Sequence, residues 1–245
     1  MVRLLRVSYI DFKFILKNKA LLFTLAITLA YTILFFFYST NYSKMDRDIN
    51  TYYRAFYDIS YYIFLIVPAL SLSKEYSFKT TRILYTGIFS KNQVFLYKIL
   101  STLFFLIVLG FLHRLIGNIF WGLDQNILSF KILSNSIVET TLIYLLTGIF
   151  TISLAFFFSL ISYSRLSTVI FTVAIFILER YIRGILFLIL ENKMFLSIIE
   201  HNPLAIIQFS LQYGRLSIMD GIILVFLSAV LFCSSLILIN KKAVN

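Results

Sequence analysis

Sixty per cent of the 245 residues are hydrophobic and only 13% are charged, whereas soluble domains carry about 45–50% and 25%. With a mean hydropathy of +0.90, the chain is excluded from the soluble globular class. Its net charge of +11 sits beside apolar runs and forms no basic stripe interleaved with exposed aromatics, which excludes a nucleic-acid surface. The single cysteine, Cys233, and two distant histidines, His113 and His201, leave no intrachain disulfide and no thiol- or histidine-based metal site. Several long apolar runs define an all-α polytopic membrane protein.

Residues 1–19 form an amphipathic interfacial helix. Leu4, Leu5, Phe12, Ile15 and Leu16 make its apolar stripe, and Arg3, Arg6, Lys13, Lys17 and Lys19 its wet side. So basic and amphipathic a start, followed by an apolar run that passes Ala26 and Ala30 to Phe37, is not expected to be a cleaved signal peptide. The first span is Ala20 to Tyr38, long enough for a hydrocarbon core of about 30 Å. Ser39 to Tyr57 reads as a polar outer loop, and Tyr52, Tyr53, Phe56, Tyr57, Tyr61 and Tyr62 as an aromatic belt at the outer boundary. The second span, Asp58 to Ser73, contains Pro68, which is expected to kink it.

Residues 74–98 are the long polar interruption of the chain. They carry Lys74, Lys79, Arg82, Lys91 and Lys98 against one acid, Glu75, and by the positive-inside rule belong in the cytoplasm. A plain helix–helix connection takes about 2–8 residues, so this stretch is more than a turn. Ser73 is a candidate N-cap, Glu75 suits the first turn and pairs with Lys79 at i,i+4, and Gly87 closes a short amphipathic helix. Tyr76, Thr80, Ile83 and Leu84 share one face. Such a helix either lies on anionic headgroups or docks into a soluble partner.

The third span runs from Ile99 to Gly117, with His113 and Arg114 near its outer end. The fourth, Ile137 to Ser162, begins with Glu139, within reach of Arg114 for an ion pair. A tight inner turn at Arg165 leads to the fifth span, Leu166 to Leu190. Its charges, Glu179, Arg180 and Arg183, are costly in lipid, and Glu179 and Arg183 are spaced to pair with each other. Residues 191–214 hold two apolar pieces too short to span, separated by Glu200, His201, Asn202 and Pro203, and read as a re-entrant outer hairpin. Ser217 to Asn240 is the sixth span, so both termini are cytoplasmic.

No phosphate-cradling GxxxxGK[ST] loop occurs, nor any HExxH, paired-carboxylate or Ser/His/Asp signature. Catalysis by this chain alone is not expected. The layout instead resembles the ABC-2 type permeases of ABC transporters: an interfacial helix, six spans, a long cytoplasmic segment between spans two and three, and a broken hairpin before span six. In the central segment the family's glutamate, threonine, apolar pair, Ser-basic step and closing lysine correspond to Glu75, Thr80 or Thr81, Ile83 with Leu84, Ser90 with Lys91, and Lys98. Lys79 or Thr80 stands where the family has glycine, and Ile88 and Phe89 where it has proline. The run from His201 to Ile207 is similar to the family's outer hairpin.

The resemblance implies a division of labour. Two permease chains, identical or homologous, would form the pathway, and two ATP-binding cassette ATPase subunits would bind ATP and magnesium; no cofactor is expected in this chain. Glu75, Tyr76, Lys79, Thr80, Arg82, Ile83 and Leu84 would form the coupling helix on the ATPase. Glu200, His201, Asn202 and Pro203 are the candidates for an outer gate, and Glu179, Arg183, Arg114 and Glu139 are the intramembrane charges. Short outer loops and Phe- and Tyr-rich spans are similar to Gram-positive exporters of bacteriocin- or modulin-like amphipathic peptides, acting in the cell membrane. Export of drugs, sodium or lipids, a membrane-embedded enzyme and a secondary transporter are the alternatives.

Overall fold

The computed structural model describes residues 2–41, 49–77, 90–127, 129–189 and 199–241. Among them the chain is helical, with no strand: α1 (Val2–Leu16), α2 (Lys19–Asn41), α3 (Ile49–Ser77), α4 (Lys91–Asp124), α5 (Phe130–Ser134), α6 (Ile137–Ser162), α7 (Arg165–Ile189), α8 (Pro203–Tyr213) and α9 (Ile218–Lys241). Five helical stretches, those containing α2, α3, α4, α6 and α9, have the length and apolar composition to cross a membrane. The 25-residue α7 has the length as well, but Glu179, Arg180 and Arg183 set it apart in composition.

The long helices pack antiparallel. Gly110 on α4 meets Tyr144 on α6 and Leu106 meets Gly148, so numbers rise on one helix as they fall on the other. The same holds for α3 and α4, where Ser71 meets Thr102 and Tyr53 meets Asn118. Glycine makes the closest approaches possible. A Cβ at Gly110 would lie 2.8 Å from Tyr144, and one at Gly117 would run into the Tyr53 ring. The core between these helices is aromatic and aliphatic, with Phe56, Phe64, Phe105, Leu109, Tyr144 and Phe156 almost fully enclosed. In contrast α2 buries only Leu21, Thr28, Thr32 and Ser39, a single narrow stripe. The hydroxyls of Thr28 and Thr32 donate to carbonyls one turn back at 2.8 Å, so the stripe needs no polar partner.

Several expectations are corrected. Helix α3 begins at Ile49, in the stretch expected to be loop, and Tyr52, Tyr53, Phe56, Tyr57 and Tyr61 are buried in the bundle; of the expected aromatic belt only Tyr62 is exposed. Those rings recur at helical spacing, so they face the core. At its other end α3 runs unbroken through Ser73, Lys74 and Glu75 to Ser77. Ser73 is therefore no N-cap: it is buried and its hydroxyl donates to the Ala69 carbonyl. The cap belongs to Ser90, whose side chain accepts from the Gln93 amide while Gln93 reaches back, a capping box that starts α4 well before Ile99. Lys79, Thr80, Arg82, Ile83, Leu84 and Gly87 lie outside the described residues, as does the first half of the hairpin, 191–198.

Charge separates the two ends of the bundle. Arg3, Arg6, Lys13, Lys17, Lys19, Lys74, Lys91, Lys98, Arg165 and Lys241 gather at one end against two acids, Asp11 and Glu75. That is ten bases against two acids, a surplus of eight. The opposite half holds six described bases and six described acids, so it is balanced.

Candidate functional site

At the basic end one ammonium ties three helices. Lys98, near the start of α4, is 93% buried by its surroundings, and its Nζ lies 2.9 Å from Asp11 on α1 and 2.9 Å from Glu75 on α3. The second oxygen of Asp11 accepts from the Ser101 hydroxyl at 2.7 Å. One turn deeper, Thr102 donates to Ser71 at 2.9 Å, again joining α4 to α3. The helical period places Lys98, Ser101 and Thr102 on one face of α4, so a single face meets both neighbours. Lys91 adds a 3.4 Å bond to the Ile239 carbonyl and so anchors α4 to the end of α9. The two roots of segment 78–89 are thus fixed to each other, one through Glu75 and the other through Lys98.

In the balanced half, α7 and α8 share a polar cluster. Arg183 donates from Nε to Glu179 at 2.8 Å and from its other arm to Gln208 at 2.7 Å. Its guanidinium lies 4.3 Å from the Phe209 ring centroid. Gln208 donates in turn to the Phe176 carbonyl at 3.0 Å and to Glu179 at 3.2 Å. The expected pairing of Glu179 with Arg183 is formed, and its charges are buried. Arg180, one residue on, is exposed and lines a cavity of about 640 Å³ with Tyr61, Tyr62, Tyr181 and Gln208.

A third network closes α3, α4 and α6 over the short α5. His113 must donate from Nε2 to the Tyr53 carbonyl at 2.9 Å, because a carbonyl only accepts, and neutral imidazole then receives the Tyr144 hydroxyl on Nδ1 at 2.9 Å. The Tyr53 hydroxyl donates to Asn118, which donates to the Leu133 and Asn135 carbonyls at 3.0 Å. Arg114 does not pair with Glu139. Its Nε donates to the Asn135 carbonyl at 3.1 Å, and its guanidinium sits 4.1 Å from the Tyr53 ring. The Asn135 carbonyl at the end of α5 and an aromatic face hold it where a carboxylate was expected.

Two of the expected outer-gate residues, Asn202 and Pro203, also start a helix. Asn202 caps α8 by accepting from the Leu204 amide at 3.1 Å, Pro203 opens the first turn, and His201 lies 2.8 Å from Asp220 at the start of α9. Glu200 is exposed. Of the expected coupling residues, the described Glu75 turns its carboxylate to Lys98 on its own chain. Sequence reasoning did not single out Asp11, Ser101, Asn118, Tyr144 or Gln208, and read Tyr53 only as part of an aromatic belt. Asp11 carried a usable signal, being the one acid among the first 45 residues. Among the described residues no group of three His, Cys, Asp or Glu side chains is gathered to hold a metal.

These helices and their charge separation define a multi-pass helical membrane protein. Neither a family model, nor a curated protein, nor a solved structure matches the chain.

Proposed function

We propose that this chain is the membrane subunit of an ATP-driven exporter of the ABC-2 permease type. It crosses the membrane six times, with α7 as the span between α6 and α8. Its basic end faces the cytoplasm, as the positive-inside rule requires, and it works with a second permease chain and two ATP-binding cassette ATPases. The observation that carries the reading is the Lys98 clamp. Because Asp11, Glu75 and Lys98 fix α1, α3 and α4 to one another beside segment 78–89, a push on that segment moves three helices as one body.

The cargo is an amphipathic peptide. Exposed Arg180 is costly against lipid and belongs toward a cavity or a partner helix. The cavity it lines combines tyrosines, a cation and an amide with apolar walls, which suits a ligand that has both a polar and an apolar face. Export is tested by purifying the tagged chain from its native membranes into nanodiscs. Vanadate-sensitive ATP hydrolysis should accompany it, rise with a synthetic amphipathic helical peptide, and respond less to sodium chloride. A preparation without hydrolysis overturns the ATPase partnership; equal responses to peptide and salt overturn the peptide cargo.

A further inference from the structure

The cavity of about 640 Å³ in the balanced half is bounded by α3, α7 and α8. Ile177, Tyr181, Ile185 and Leu188 recur along one face of α7 and form its apolar wall, and α3 adds Tyr61 and Tyr62. Among the described residues that line it, Arg180 alone carries a charge. At 1.5 Å per residue Arg180 lies about 22 Å along α7 from Arg165 at the basic end, still within a hydrocarbon core about 30 Å thick. A Cβ at Gly184, one turn further on, would meet nothing within 4 Å, so the space beside the cation is open.

The polar groups beside this cavity satisfy one another, with two exceptions. Glu179 and Arg183 pair at 2.8 Å, and Gln208 donates to Glu179 and to the Phe176 carbonyl while its oxygen accepts from Arg183. Arg180, in contrast, makes no hydrogen bond or ion pair among the described residues. Asp58 on α3 attracts it from a distance, but is drawn more strongly to Arg54, one turn away on its own helix. The second exception is Tyr61, which is only 6% exposed and lines the cavity. Its hydroxyl has no hydrogen-bond partner, although Gln208 is a neighbour. A guanidinium only donates and a phenol can donate, so the pair calls for an acceptor. One planar guanidinium matches one carboxylate through two parallel bonds, and it repels an ammonium.

We infer that this cavity receives the terminal carboxylate of the amphipathic peptide, held by Arg180 beside the Tyr61 hydroxyl, with the last apolar side chains against the α7 wall. The inference rests on the peptide-export reading and adds to it which end of the cargo is read. A fatty acid carries the same chemistry, a carboxylate on an apolar body, and the test separates the two sources.

The test is binding of a synthetic Leu- and Lys-rich helical peptide, fluorescently labelled at its N-terminus, to the full chain purified from its native membranes into phosphatidylcholine nanodiscs. Signal is read above that of empty nanodiscs. The free-acid peptide should bind about tenfold more tightly than the same peptide amidated at its C-terminus, the worth of hydrogen bonds to a charged group. Arg180→Gln should remove that difference. Gly184→Phe, which fills the cavity, should abolish binding of both forms, and Gly184→Ala, a methyl in open space, should bind as the wild type does. Each variant should keep the wild-type elution volume and helical circular dichroism, and the acid–amide comparison needs no variant at all. Equal binding of acid and amide, or a difference that survives Arg180→Gln, overturns the inference and leaves the peptide cargo standing. Unchanged binding in a folded Gly184→Phe overturns the cavity as its place. Acid and amide binding alike while dodecanoate binds through Arg180 would reassign the cavity to fatty acids. No binding of either peptide overturns the inference and the peptide cargo together.

Discussion

The two ends of the bundle solve the same problem, a cation among helices, in opposite ways. At the basic end Lys98 is held by two carboxylates from two other helices, 2.9 Å each, in a region where acids are scarce. In the balanced half Arg114 makes no ion pair with Glu139; the Asn135 carbonyl and the Tyr53 ring hold it instead. A compact ammonium needs point charges, whereas a flat guanidinium is satisfied by carbonyls and a ring face. The basic end therefore depends on a few long-range ion pairs, and the balanced half on one local pair, Arg183 with Glu179, among many distributed hydrogen bonds.

Replacing Lys98 breaks this contrast most severely. Lys98→Met leaves Asp11 and Glu75 facing each other, and should cost about 3–5 kcal/mol, read as a fall in unfolding temperature in detergent. Adding Asp11→Asn and Glu75→Gln should restore part of it, and strict additivity would contradict the clamp. Next is Gly117→Ala, whose methyl strikes the Tyr53 ring that carries both Asn118 and Arg114. Overpacking of this kind costs about 1–3 kcal/mol, on the same measurement. Arg183→Lys keeps the charge but cannot reach Glu179 and Gln208 with one planar fork while lying over Phe209; about 1–2 kcal/mol should be lost. The smallest effect is expected from Glu139→Gln. With no ion pair to Arg114, the change should stay within about 0.5 kcal/mol, and a larger loss would restore the pairing that the sequence suggested.

Helical membrane class and most of the helices were legible because apolar runs and their basic flanks follow from the bilayer itself. Boundaries were less so. Tyr52, Tyr53, Phe56 and Tyr57 read as an interfacial belt because aromatic residues occupy interfaces and cores alike, and only the bundle decides which. Ser73 read as a cap because a serine before an acid has that form, but α3 runs on from Ile49 past Pro68 to Ser77, so no helix starts at Ser73. The site was legible only where partners share a helix, as Glu179 and Arg183 do at i,i+4. Lys98 with Asp11, or Arg183 with Gln208, joins residues far apart in the chain, and no local spacing announces such a pair. Gln208 follows the apolar run Leu204 to Ile207, and a polar residue there says that a partner exists without saying where.

The central claim is that the basic end, with its clamped roots, faces the cytoplasm, where an ATPase can grip it. The most direct measurement is labelling of Leu84→Cys by a membrane-impermeant maleimide, in a Cys233→Ser background that removes the one native thiol. Intact cells should leave the new cysteine unlabelled, and opened membranes should label it fully. Labelling in intact cells would contradict the orientation and, with it, the proposed drive.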